Sequence, residues 1–212
     1  MLSSSEKRTL TEACERYTVT RTQDCLAYLE ARGIPQAVAD SFNLGTCDEP
    51  IAGHEHVEGL LSIPYRTPTG IVGCKFRHID NTTPKYMGVT GQKTGMFNVV
   101  DLHADTEIIA VCEGELDTVI LSGVVGIPAV GIPGVSTWKP WFPKLFEPFR
   151  KVFIFADNDV KEDGSNPGLQ LGKKIKEDVE RAVIVHLPEG MDVTDVFLSE
   201  GPDWFRSKVE EV

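Results

Sequence analysis

The sequence predicts an α/β protein, a parallel sheet flanked by helices, preceded by a smaller mixed α+β N-terminal part. Past residue 105, short apolar runs recur at 107–112, 126–132, 151–156 and 182–187, separated by segments with helical potential. Near-continuous apolar runs of this length suit strands buried on both faces, with helices as the crossovers. Before residue 100 the rhythm differs: strand-like runs at 60–65 and 71–77 flank Thr67-Pro68-Thr69-Gly70, a hairpin turn. The third observation is that acidic residues stand directly after the apolar runs, where a parallel sheet collects its functional groups.

The elements follow in order. Thr22 can cap a helix over 22–33 that Gly33 ends, and a second short helix follows Pro35. Residues 80–97 are polar and turn-rich and read as a loop. Helices are expected at 115–122, 138–149 and 168–180, between the apolar runs. The domain reading is 1–104 for the mixed part with its basic hairpin, 105–200 for the α/β domain, and 201–212 for a short helical tail.

Composition narrows the function classes. A hydrophobic content of 41% with 25% charged residues describes an ordinary soluble protein. No apolar run approaches the roughly 20 residues that span a bilayer, so no membrane partner is expected and a cytoplasmic location is. The cysteines Cys14, Cys25, Cys47, Cys74 and Cys112 form no C-x-x-C pair, which argues against a zinc ribbon. The net charge of −11 is unevenly spread. Residues 62–97 hold Arg66, Lys75, Arg77, Lys85 and Lys93 against Asp80 alone, whereas residues 98–212 are strongly acidic. A basic island beside an acidic half suits phosphate binding next to a metal site.

Glu113 follows the first apolar run, Asp157 and Asp159 the third, and Asp192 and Asp195 the fourth. If these strands are neighbours, their carboxylates converge, and hard oxygen ligands of that kind select Mg²⁺ or Mn²⁺. Asp117, four residues after Glu113, is read either as support for a metal ligand or as charge compensation at a helix start. Gly168–Lys174 lacks P-loop spacing, and Asp159–Gln170 fails as a calcium loop because Lys161 takes a ligand position. Trp138 and Trp141 are read as core or as a protein-contact surface, and His54 and His56 as a surface turn.

Glu113 in an E-G-x-x-D run, followed 44 residues later by a hydrophobic strand ending in D-x-D, resembles the TOPRIM module. Further residues resemble the catalytic core of DnaG-type primases: Tyr28-Leu29-Glu30-Ala31-Arg32-Gly33-Ile34, Ile63-Pro64-Tyr65-Arg66, Thr83-Pro84-Lys85-Tyr86, Gly134-Val135-Ser136 and Leu187–Asp192. The order of these elements matches over about residues 25–200. The chain departs from the family in having Asp192-Val193-Thr194-Asp195 for D-P-D, and Met87-Gly88 after the lysine-tyrosine pair.

The resemblance implies a minimal, phage-encoded primase core that makes short RNA primers on a single-stranded DNA template from nucleoside triphosphates. It implies catalytic roles for Glu113, Asp157 and Asp159, with metal held by these acids, by Asp192 or Asp195, and with Asp117 in support. Arg66, Arg77, Lys85, Tyr86 and Lys93 would bind nucleotide. A separate zinc-binding module and a replicative helicase would be the partners. The alternatives are a TOPRIM nuclease using the same acids and a non-catalytic nucleic-acid-binding module.

Overall fold

The computed structural model describes residues 2–80, 82–92, 95–160 and 163–210, in two compact units, 1–93 and 94–212.

The first unit opens on a helix the sequence reading did not anticipate, α1 (Ser4–Val19). Ser3 and Glu6 form a reciprocal capping box, and the S-x-x-E spacing is its signature. Leu10, Ala13, Cys14 and Tyr17 form its buried stripe. Helix α2 (Gln23–Ala31) starts where Thr22 accepts a hydrogen bond from the Cys25 N–H, and α3 (Gln36–Ser41) follows Pro35. The strands β1 (Gly45–Thr46), β2 (Leu61–Thr67), β3 (Gly70–Arg77) and β4 (Tyr86–Gly88) make an antiparallel sheet in that order. The β2–β3 hairpin closes at Thr67 and Gly70, where Gly70 takes φ 110°, a conformation that favours glycine. Strand β4 lies inside the stretch expected to be a loop. Three residues are too few to show an alternating pattern, and its pairing with β3 decides it. Tyr17, Cys47, Cys74 and Phe76 anchor the core. All five cysteines are free and buried. His54, expected at a surface turn, is buried and bonds the Tyr17 hydroxyl at 3.1 Å.

The second unit carries four parallel strands, β5 (Ile108–Cys112), β6 (Ala129–Gly131), β7 (Lys151–Ala156) and β8 (Ala182–His186), in the order β6-β5-β7-β8. Its helices are α4 (Glu115–Val119), α5 (Pro167–Asp178), α6 (Val193–Glu200) and α7 (Pro202–Glu210). Strand β7 shows why the apolar runs are continuous. Val152, Ile154 and Ala156 join the cluster that includes Leu171, Ile175 and Phe146, while Phe155 points the other way, 5.5 Å from the Phe205 ring.

The helix expected at 138–149 is replaced by short 3-10 turns at Val135–Thr137 and Phe142–Phe146. Pro140, Pro143 and Pro148 remove the donors a longer helix needs. Trp138 is buried there, whereas Trp141 is 61% exposed. Residues 94–104, read from sequence with the N-terminal part, group with the second unit. Phe97 and Gly131 exchange backbone hydrogen bonds, and Asp101 Oδ2 accepts from the Ala129 N–H at 2.9 Å. No helix among the described residues is long and apolar enough to cross a membrane.

Candidate active site

Parallel registers bring the carboxyl ends of the strands to one edge of the sheet. Val111 pairs Ile154, Ala156 pairs His186, and Cys112 pairs Gly131. The chain leaves β5 for β6 on one side and then crosses to β7 on the other. The loops after β5 and β7 therefore flank the point where strand order reverses, the usual place for a ligand crevice. Glu113 stands on the first loop, and Asp157 and Asp159 on the second.

Asp157 is the focus. Its Oδ1 is buried and has no hydrogen-bond partner. Burial, then the charges of Asp117, Glu113, Asp192 and Asp159, push its pKa up to about 8. A carboxyl in this setting keeps its proton at neutral pH unless a cation replaces it. Gly168, in the first turn of α5, presses on its backbone, and a Cβ there would stand 2.4 Å from the Asp157 carbonyl oxygen.

Asn158, a residue the sequence reading passed over, fastens this loop. Its side chain donates to the Leu187 carbonyl at 2.9 Å and accepts from Asn166, which caps α5. Its backbone exchanges hydrogen bonds with Met191 and Gly190. The loops after β7 and β8 are thus tied together, and Asp159 projects outward as an exposed group.

Asp117 is 7% exposed, and its Oδ1 accepts from Thr194 twice, from the hydroxyl at 2.7 Å and from the N–H at 3.2 Å. It therefore compensates a helix start, that of α6, rather than only its own helix α4. The other α6 acids are also engaged. Asp192 caps the Asp195 N–H at 2.8 Å while Asp195 reaches back to the Asp192 N–H at 3.2 Å. Only Asp192 of this pair is among the charges that raise Asp157. The structure thus brings Glu113, Asp117, Asp157, Asp159 and Asp192 into one electrostatic group and uses Asp195 in a capping box.

These residues suit a divalent cation. The donors are hard oxygens, and Asp157 presents an unsatisfied carboxylate oxygen whose proton a cation could displace. Among the described residues, no three carboxylate, histidine or cysteine side chains already form a metal cage. Mg²⁺ held by one or two carboxylates, with water and substrate phosphate completing its shell, requires none.

In the first unit, cations and aromatic rings alternate. Arg77, 4% exposed, lies 4.8 Å from the centre of the Tyr86 ring and 5.6 Å from that of Tyr28, and donates to the Tyr86 hydroxyl. Lys75 Nζ sits 4.1 Å from the Tyr86 ring centre. Arg32 donates to the Tyr28 hydroxyl at 2.9 Å. The expectation grouped Arg77 with Lys85, and in the structure they are neighbours across β3 and β4 that differ in exposure: Arg77 is buried against tyrosine rings, while Lys85 is exposed.

Arg66 stands elsewhere. It caps α3 through the Ser41 carbonyl and lies 4.4 Å from the Phe42 ring centre. Arg77 pairs with Leu61, five residues from Arg66, about 17 Å along the strand. Lys93 lies outside the described residues.

Residues 108–203 match the family model described as the Toprim domain. The Gene 57 protein of Mycobacterium phage D29 is 36% identical over 156 residues, covering 71% of this chain and 98% of that protein. The chain belongs to the family of that phage protein, and its second unit is a Toprim domain. A DNA primase of Pseudomonas aeruginosa is 23% identical over 175 residues, which cover 74% of this chain and 25% of the primase. Among solved structures, the zinc-binding and RNA polymerase domains of the Aquifex aeolicus primase superpose with a TM-score of 0.75 at 20% identity, covering 99% of this chain and 62% of that one. The chain thus spans about a quarter of the Pseudomonas primase and has the fold of primase catalytic cores.

Proposed function

We propose that this chain is the catalytic core of a DNA primase, joining ribonucleotides into short primers on a single-stranded DNA template with Mg²⁺ or Mn²⁺. The observation that carries this reading is Asp157, whose buried Oδ1 has no hydrogen-bond partner and whose carboxyl is pushed up first by burial and then by four neighbouring acids. A site of that kind gains most when a divalent cation replaces the proton. The fold shared with primase cores supports the reaction class.

In the proposed reaction the 3′-hydroxyl of the growing strand attacks the α-phosphate of the incoming nucleotide, and pyrophosphate leaves. Asp157 and Asp159 would hold the cation, with Asp192 alongside. When bound, the cation neutralises triphosphate charge and stabilises the charge that develops on the transferring group. Glu113 would take the proton of the attacking hydroxyl or share in cation binding. Asp117 keeps the field around Asp157 negative. Lys85 would contact the triphosphate, and Lys75, its Nζ against the Tyr86 ring, would add a second cation, with the buried Arg77 holding that ring in place. Arg66 and Lys93 belong to the same proposed nucleotide-binding set, Arg66 through the order it imposes on α3. A zinc-binding module and a replicative helicase would complete priming in the cytoplasm of the bacterial or phage-infected cell.

Calorimetry of nucleoside triphosphate binding in the presence of Mn²⁺ tests the site. Wild type binds and Asp157→Asn loses most of the Mn²⁺-dependent affinity. Equal binding by the two proteins refutes the assignment. Mn²⁺-dependent DNA cutting without nucleotide binding would favour the nuclease reading instead.

A further inference from the structure

We propose that Thr194 is a positioning residue for the carboxylate site, acting through Asp117. The inference rests on the metal-binding reading of that site. The two residues are 77 positions apart and both buried, Thr194 at 4% and Asp117 at 7% exposure. Thr194 sends its hydroxyl and its N–H to the same oxygen, Oδ1 of Asp117, at 2.7 and 3.2 Å. The opposite oxygen, Oδ2, lies against Gly114, where a Cβ would come within 2.1 Å of it. One oxygen is tethered and the other is stopped by backbone, so the carboxylate is fixed from both sides. Of the neighbouring charges, that of Asp117 weighs most on Asp157. A small displacement of Asp117 would therefore change the field at the group that carries the chemistry.

The contact is not needed to start α6. Asp192 already caps that helix through the Asp195 N–H, in a reciprocal box with Asp195. The Thr194 N–H lies in the first turn, where it has no partner within the helix, and any residue at 194 would supply it. The hydroxyl is different: among residues of similar size, only threonine or serine places such a donor there. It is also neutral. An acid at 194 would set a second carboxylate against Asp117, whereas a hydroxyl donates to it.

The test is Mn²⁺ titration of the full chain, followed by electron paramagnetic resonance, for wild type, Thr194→Val and Thr194→Ser, with circular dichroism as the check on folding. Valine keeps the shape and removes the donor, so Mn²⁺ affinity falls about tenfold, the scale expected when a group supporting a metal ligand is lost. Serine restores affinity to about twofold of wild type or better, the hydroxyl being the active part of the side chain. Should the valine variant fail to fold, Thr194→Cys carries the same comparison, with a weaker donor and an intermediate affinity. Wild-type affinity in the valine variant, or serine as weak as valine, overturns the role of Thr194. Wild type that binds no Mn²⁺ at millimolar concentration removes the metal reading, and this inference with it.

Discussion

The guanidinium of Arg77 donates to the hydroxyl of Tyr86 and lies 4.8 Å from the centre of the same ring, on residues that are register partners of β3 and β4. A hydrogen bond and a cation–π contact thus act on one pair. Tyr86→Phe keeps the ring and loses the bond, at a cost of about 1 kcal/mol. Tyr86→Ala loses both and leaves the buried guanidinium short of partners, at about 2–3 kcal/mol. Urea unfolding of the three proteins measures the difference. Equal midpoints would mean the stack contributes nothing to the sheet.

Lys85 is exposed just before the same strand, so its removal should act on ligand more than on fold. Lys85→Ala is expected to unfold like wild type while nucleoside triphosphate affinity with Mn²⁺ drops by roughly one to two orders of magnitude, the loss of one charge-assisted contact of about 1.5–3 kcal/mol. Calorimetry at fixed Mn²⁺ reads it. An unchanged nucleotide affinity would remove Lys85 from the binding set.

Asp157 sets a pH dependence. In the folded protein it holds its proton up to about pH 8, whereas an unfolded aspartate releases it near the ordinary value of 3.8. Between those limits the folded state binds more protons. The stability Asp157 contributes is therefore complete at low pH and is lost as pH rises toward 8. Without divalent cation, wild type should weaken over that window. Asp157→Asn should weaken less, and at pH 8 melt higher by at least ~2–4 °C, which is about 1 kcal/mol for a chain of this size. Added Mn²⁺ should stabilise wild type and release protons at neutral pH, as calorimetry in two buffers would show. Parallel melting profiles for the two proteins would contradict the assignment.

Gly114 has φ −86° and ψ 148°, a conformation open to any residue, so alanine there brings no backbone strain. Its Cβ would instead collide with Asp117 Oδ2, whose carboxylate cannot swing away while Thr194 holds Oδ1. Gly114→Ala should therefore lower Mn²⁺ affinity by about an order of magnitude, as loss of a supporting group does. Circular dichroism should stay near wild type. Unaltered Mn²⁺ binding would show that Asp117 is free to relocate.

Much of the second unit was legible because its strands are buried on both faces, and burial leaves unbroken apolar runs with acids at their ends. Glu113, Asp157 and Asp159 could be placed at strand ends for that reason. Burial itself could not be read. Asp157 and Asp159 are alike in sequence, yet one is half-buried among carboxylates and the other is exposed.

Asp192 and Asp195 follow the fourth apolar run in sequence, which could not show that the two close a reciprocal capping box on α6. Thr194 and Asn158 carried no signal, since each acts through a contact distant in sequence. Asp80 is the only acid near Arg77 in sequence, and nothing there shows that the rings of Tyr28 and Tyr86 pack against its guanidinium. Helix α1 does carry a sequence signal, the S-x-x-E capping box at Ser3 and Glu6.

Primer synthesis is tested most directly by incorporation of labelled ribonucleotides on single-stranded DNA with Mn²⁺, with and without an added zinc-domain protein. Wild type should produce short RNA that depends on template and on Mn²⁺, and neither Asp157→Asn nor Glu113→Gln should produce any. The contradicting result is Mn²⁺-dependent cleavage of the DNA, abolished by the same substitutions, with no ribonucleotide incorporated under either condition.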